Sequence, residues 1–165
     1  MNNNISNVAG YIYKLIDDEY YVYVHLRNSK ISHGNNIAAP GGKIEKNDKL
    51  PINALVREFK EECGIITSTN NWKEFLQLNK TVMYCKDYTN KKLKFIDKTP
   101  SHNFEVEDIK KLKEKFNNDS YLIESKYNHA WIELKSLKEW LEKNQNIFYR
   151  PIQVLYYKLY IQKHI

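Results

Sequence analysis

From Asn7 to Arg27 apolar and aromatic residues are interleaved with polar ones, and the run is broken once, at Asp17, Asp18 and Glu19. This pattern predicts a strand over 7–16, a turn, and a second strand over 20–27 (YYVYVHLR) paired with the first. Residues 29–36 are polar and predict a loop. Ile37 to Ala39 predict a short strand feeding the turn at Pro40, Gly41 and Gly42, where glycine opens backbone conformations closed to other residues. The period then changes. Ile52, Leu55, Val56, Phe59 and Cys63 recur at helical spacing. Asp48 is the expected N-cap, Pro51 suits a first turn because its missing amide has no intrahelical partner there, and Gly64 suits a left-handed C-cap.

Beyond the polar break at 67–71, residues 72–78, 80–88 and 92–96 predict strands, with Asn90 in a turn before the last. Val106, Ile109, Leu112 and Phe116 predict a helix over 104–116 with a lysine-rich outer face. Residues 121–124 and 129–134 predict short strands. Ser136 and Glu139 form a capping box that starts a helix through Glu142, and Pro151 opens a last helix with Ile152, Leu155 and Leu159 inward. Strands in the first half, a central helix and a closing helix give an α/β (α+β) chain: a mixed sheet with helices on its faces.

Composition narrows the picture. A chain of 165 residues with 42% hydrophobic content is expected to form a single domain, 1–165, with a sizeable core. Two cysteines give neither a disulfide framework nor zinc spacing, and Cys63, on the apolar stripe, is expected to be a buried thiol. The start MNNNISN has no basic n-region or apolar core, and no apolar run is long enough to span a membrane. The expectation is a soluble, intracellular, cytoplasmic protein without a membrane partner. The net charge of +6 favours anionic partners such as nucleotides or RNA without choosing between them.

The chemistry concentrates on the central helix. Glu58, Glu61 and Glu62 lie at i, i+3 and i+4, on one face, where like charges repel by about 0.2–0.5 kcal/mol per close exposed pair. Such an oxygen-rich cluster suits a hard cation held by carboxylates and substrate phosphates. The plainer alternative is a solvated acidic face partly offset by Arg57 and Lys60.

The glycine turn upstream decides between them. Residues 41–65, GGKIEKNDKLPINALVREFKEECGI, resemble the Nudix box, G-x5-E-x7-R-E-U-x-E-E-x-G-U with U aliphatic. Gly42 fills the first position; Arg57, Glu58, Glu61, Glu62, Gly64 and Ile65 fill the second half, with Phe59 in an aliphatic slot. Two departures stand out. Asp48 replaces the first Glu, and eight residues rather than seven separate it from Arg57. An insertion at 49–51 accommodates this and leaves the helix intact. Both bear on the pairing with Arg57 that, in the family, holds loop against helix.

The resemblance implies a Nudix-type α/β/α sandwich and a hydrolase that cleaves the pyrophosphate link of a nucleoside diphosphate joined to another group. It implies Mg²⁺ or Mn²⁺ held by Glu58, Glu61 and Glu62, with the Gly42 carbonyl directed at a metal. The general base is then either the box residue Glu58 or a residue of a later loop, Glu61 acts beside Glu58, and Arg57 orients the cluster. Glu124, ahead of Trp131 in ESKYNHAWIEL, resembles a late family segment and is the candidate for a further metal ligand; Glu105, Glu107 and Asp108 are weaker ones that suit a helix's first turn. A nucleotide-derived small molecule is the expected substrate. The alternatives are capped RNA, cleaved to release m7GDP, and a degenerate domain that binds a nucleotide without cleaving it. The lysines at 91, 92 and 94 and at 110, 111, 113 and 115 suit phosphates or a solvated face. His25, His33 and His129 are isolated, and Tyr23, Trp72, Tyr84 and Phe95 are aromatics better suited to packing than to stacking on a base.

Overall fold

The computed structural model describes residues 4–26, 37–96, 122–126, 129–135, 158–159 and 162. The chain divides into two compact units, Met1–Tyr13 with Pro40–His102 and Lys14–Ala39 with Asn103–Ile165.

The first unit contains most of β1 (Asn7–Ile16), then β4 (Gly41–Lys43), α1 (Pro51–Cys63), β5 (Ile65–Ile66), β6 (Lys73–Leu78), β7 (Thr81–Asp87) and β8 (Lys94–Phe95). Its sheet is mixed, as expected. β1 runs parallel to β7, in register from Asn7↔Thr81 to Tyr13↔Asp87, while β6–β7 and β1–β4 are antiparallel. β5 and β8 form a separate two-stranded ribbon. Asn79 and Asn90 take the positive φ that the turns after β6 and before β8 require.

Helix α1 begins and ends where Pro51 and Gly64 predict, with Gly64 in the left-handed region at φ 67°. The N-cap is a correction: it is Leu50, not Asp48, because the Asp48 carboxylate is engaged elsewhere. The Leu50 amide instead donates to Asn53 Oδ1 at 3.2 Å. The buried face is Ala54, Leu55, Phe59 and Cys63, so Ile52 and Val56 of the predicted stripe sit at its half-buried margin. That face meets β1 at Gly10, where an added Cβ would lie 2.5 Å from Leu55 Cδ1 and 2.8 Å from Phe59 Cε2. Glycine there lets the helix approach the strand closely. Burying Leu55 and Phe59 contributes about 1.5–3 kcal/mol each.

The second unit contains the end of β1, β2 (Glu19–Leu26), β3 (Ile37–Ala38), β9 (Leu122–Lys126) and β10 (His129–Glu133). Asp17 and Asp18, with φ of 48° and 65°, make the two-residue turn into β2. β10 lies between β2 and β9, and all three are antiparallel. Tyr23 and Trp131 are cross-strand partners in edge-to-face contact at 5.7 Å, with Lys14 Nζ 4.4 Å above the indole. His129 pairs with His25 along the same ladder. Leu159 is helical and buried, as the closing helix predicts. The expected loop at 29–36 and the helix at 104–116 lie outside the described residues, and Leu134 and Lys135 are already helical, ahead of the start expected at Ser136. No helix among the described residues is long and apolar enough to cross a membrane.

Candidate active site

The site lies within the first unit, where the β4 turn meets the first three turns of α1. Strand pairing of β4 with β1 places Gly41 opposite Ala9 and Gly42 opposite Val8. Neither glycine has a positive φ, which corrects the expectation that they serve backbone conformation. They serve close approach. A Cβ on Gly41 would run into the Val8 carbonyl and lie 2.9 Å from Ala9 Cα; one on Gly42 would lie 2.6 Å from Glu58 Cδ. The turn therefore packs on the strand at one glycine and on the Glu58 carboxylate at the next.

After β4 the chain makes a tight turn over 45–48. Asp48 donates its amide to the Glu45 carbonyl at 3.0 Å and accepts the Glu45 amide on Oδ2 at 2.8 Å. This fixes the Asp48 carboxylate beside Arg57. Asp48 Oδ1 accepts from Arg57 Nε at 3.3 Å and Oδ2 from Nη2 at 3.0 Å. Nη2 also donates to the Lys43 carbonyl at 3.0 Å. The side chain of Asp48 is only 8% exposed. The family's pairing of loop and helix is thus present here despite the shorter acid. Lys49 and Leu50, both exposed, bridge the turn to Pro51 and absorb the extra length.

The third guanidinium nitrogen faces the helix. Arg57 Nη1 donates to Glu58 Oε1 at 3.1 Å and to Glu61 Oε2 at 3.2 Å, and Glu45 Oε1 lies 3.5 Å away. Glu62 takes a different direction: its Oε2 accepts the Gly41 amide at 3.1 Å. So Glu58 and Glu61 converge on one cation, and Glu62 ties the helix to the glycine turn. Among the described residues, no three acidic, histidine or cysteine side chains gather into a metal cage.

The electrostatics follow from these contacts. The hydrogen bond from Arg57, with that from the Glu45 amide, holds the Asp48 carboxyl below the ordinary carboxylate range. The same bond to Asp48 raises the Arg57 pKa. Burial pushes the Glu58 carboxyl upward, Arg57 pulls it back, and the Glu61 charge adds to the rise. The donor set suits a hard divalent ion: it is carboxylate and carbonyl oxygen alone, two of its carboxylates already meet at one positive group, and the missing side chain of Gly42 lets its backbone lie against the Glu58 carboxylate.

Of the residues singled out in the sequence, Gly42, Asp48, Arg57, Glu58, Glu61 and Glu62 are brought together. Glu124 lies on β9 in the second unit, where β9 carries one residue more than β10 between Ile123 and Lys126. Glu105, Glu107 and Asp108 lie outside the described residues. Two participants escaped the sequence reading. Glu45 and the Lys43 carbonyl both belong to the Arg57 hub, and the polar run EKND, which closes as a turn, is the signal that points to them.

The NUDIX domain family model matches residues 7–152. Among solved structures, a Nudix hydrolase from M. smegmatis, RenU, is similar at 9% identity and TM-score 0.60, over 99% of this chain and 88% of that one. The C. elegans Ap4A hydrolase is similar at 11% identity and TM-score 0.50, over 94% and 96%. A MutT/nudix family protein from Enterococcus faecalis is 23% identical at TM-score 0.45 over 59% of this chain, which spans 42% of that protein's length. No curated protein sequence matches the chain.

Proposed function

The chain belongs to the Nudix hydrolase family, whose domain spans residues 7–152, and from that premise we propose that it is a divalent-metal-dependent pyrophosphohydrolase acting on a nucleoside diphosphate joined to another group, with 1–165 working as one domain. The observation that carries this is the convergence of Glu58 and Glu61 on Arg57 beside Gly42. A helix fixes the spacing of those carboxylates better than a loop can.

In this reading Glu58, Glu61 and Glu62, with the Gly42 carbonyl, would hold Mg²⁺ or Mn²⁺. A bound divalent ion neutralises charge on the phosphate oxygens and acidifies a water. The half-buried Glu58 carboxylate is the proposed acceptor of the attacking water's proton. Before an ion binds, Arg57 holds Glu58 and Glu61 in a fixed relation, and Asp48 holds Arg57. Glu62 keeps the Gly41–Gly42 turn against the helix and would supply the third carboxylate to the ion.

Small nucleotides are the favoured substrates. The C. elegans neighbour is an Ap4A hydrolase, so dinucleoside polyphosphates belong in the panel. Capped RNA is the second reading, supported by the net charge of +6 and the exposed Lys91, Lys92 and Lys94. The deciding experiment is turnover in Mg²⁺ or Mn²⁺ of ADP-ribose, nucleoside triphosphates, Ap4A and capped RNA, with m7GDP release as the decapping signal. Nucleotide binding without turnover of any of them would replace the hydrolase reading with a binding module.

A further inference from the structure

We infer that Arg57 is the built-in counter-ion of the carboxylate site, exchanged at one nitrogen for the divalent ion. This rests on the proposed metal-dependent hydrolysis and concerns how the same site is regulated. A guanidinium has five N–H donors. Here each has an acceptor: Nε on Asp48 Oδ1, Nη2 on Asp48 Oδ2 and the Lys43 carbonyl, Nη1 on Glu58 Oε1 and Glu61 Oε2. The two edges of the fork therefore face different partners. The Nε–Nη2 edge is held by the loop, through a carboxylate that is almost fully buried. The Nη1 edge is held by the two proposed metal ligands, of which Glu61 is 49% exposed, with Glu45 Oε1 a further 3.5 Å ion-pair partner.

Nη1 thus meets one largely buried carboxylate, Glu58 at 13% exposed, and one half-exposed carboxylate, Glu61, while the opposite edge rests on Asp48 and the Lys43 carbonyl. Nη1 can release Glu58 and Glu61 while Asp48 and Lys43 keep the guanidinium in place. Until then its charge offsets the repulsion between carboxylates that the helix forces together. Afterwards the same charge stays close to the ion and opposes it, so Arg57 sets an upper limit on metal affinity. A residue acting only as a brace between loop and helix would have the opposite effect, because losing a brace loosens the site.

The two roles separate by sign in the absence of substrate. Mn²⁺ binding is measured by electron paramagnetic resonance, and Mg²⁺ binding by calorimetry, for wild type, Arg57→Gln and Asp48→Asn. Arg57→Gln should bind either ion about tenfold more tightly, while Asp48→Asn, which leaves Nη1 on its carboxylates, should bind no more tightly than wild type. Equal or weaker binding by Arg57→Gln overturns the proposal and leaves the metal-dependent reading standing; a wild type that binds neither ion sinks both. Should Arg57→Gln not fold, the wild type is titrated with Mg²⁺ and followed by arginine side-chain nitrogen NMR. The Nη protons of Arg57 should then exchange faster with water while its Nε proton stays protected, and unchanged Nη exchange overturns the proposal.

Discussion

Asp48 grips Arg57 with both carboxylate oxygens, at 3.3 Å to Nε and 3.0 Å to Nη2, from a turn that its own side chain closes. The box residue it replaces is one methylene longer. The shorter acid reaches because the 45–48 turn brings its backbone close to the helix. Asp48→Glu, although it restores the family pattern, should therefore destabilise the fold by about 1–2 kcal/mol, since the longer side chain cannot serve both Arg57 and the Glu45 amide. Asp48→Asn should cost about 1.5–3 kcal/mol through the lost charged hydrogen bonds. Urea unfolding of the three proteins measures this, and an Asp48→Glu variant more stable than wild type would refute it.

The same pair predicts a pH dependence. Arg57 lowers the folded pKa of Asp48 below its unfolded value, so folding favours the ionised form. The resulting stability is fully present above the ordinary carboxylate pKa and is lost as pH falls through the depressed folded value. Melting temperatures of wild type and Asp48→Asn should differ most near neutrality and converge as the pH drops below that of an ordinary carboxyl. A gap that persists undiminished in strong acid would mean that something other than the Asp48 charge separates the variants.

Adjacent glycines should fail in different ways. A Cβ at position 41 meets backbone, which cannot yield, so Gly41→Ala should cost about 1–3 kcal/mol of stability by disturbing the β1–β4 pairing. A Cβ at position 42 meets the Glu58 side chain, which can rotate away. Gly42→Ala should stay folded and lose about 100-fold or more in turnover as Glu58 is displaced. Calorimetric melts and steady-state rates on both variants would show the split; equal effects on both properties in both proteins would contradict it.

Some punctuation is legible in the sequence because it acts locally, whereas the N-cap is not, since Asp48 is drawn away to Arg57 and Leu50 takes the cap. Pro51 and Gly64 bound α1, and Asp17–Asp18 turn β1 into β2, by rules that need only near neighbours. Contacts between distant segments were another matter. Glycine at 41 and 42 is visible, but whether it serves φ or space depends on Val8, Ala9 and Glu58, far away along the chain. Gly10 was passed over because its partner, α1, comes more than forty residues later. Ala54 was missed because its small side chain carries little weight in a hydrophobic stripe, although it is fully buried. Spacing puts the three glutamates on one face, and the box resemblance marks that face as a site. Spacing said nothing of Glu62 turning to the Gly41 amide while its neighbours turn to Arg57.

That divergence can be tested by amide substitution. Glu61→Gln and Glu62→Gln each keep an acceptor oxygen and lose the charge, so the Gly41 amide retains a partner in the second variant. Both should fold like wild type, and both should lose about 100-fold or more in turnover. Circular dichroism melts and kcat in saturating Mg²⁺ are the measurements. Wild-type turnover in both would count against the site.

Away from the site, Lys86 is buried on β7, and among the described residues its ammonium meets neutral oxygens: Thr67 Oγ1 at 3.2 Å, and the carbonyl and Oγ of Ser68 at 3.3 Å. Trp72 and Tyr88 flank it at 5.6 Å. Burial, with a smaller contribution from Lys91, lowers its pKa from 10.5. Its acceptors do not depend on it alone, because Tyr88 donates to Thr67 and Trp72 to the Ser68 carbonyl. Lys86→Met should therefore change stability by less than about 1 kcal/mol near neutrality, or raise it. The sign of the pH effect is fixed. The unfolded chain holds the Lys86 proton more tightly, so the ammonium opposes folding at neutral pH, and that opposition fades as pH rises through the folded pKa towards 10.5. Wild type should gain stability relative to Lys86→Met between neutral pH and about pH 10. The comparison within one pair of proteins cancels tyrosine ionisation common to both. A stability difference that stays constant over that range would show that the amine is charged in the folded protein throughout, held by the Thr67 and Ser68 oxygens and the two rings as firmly as water holds it in the unfolded chain.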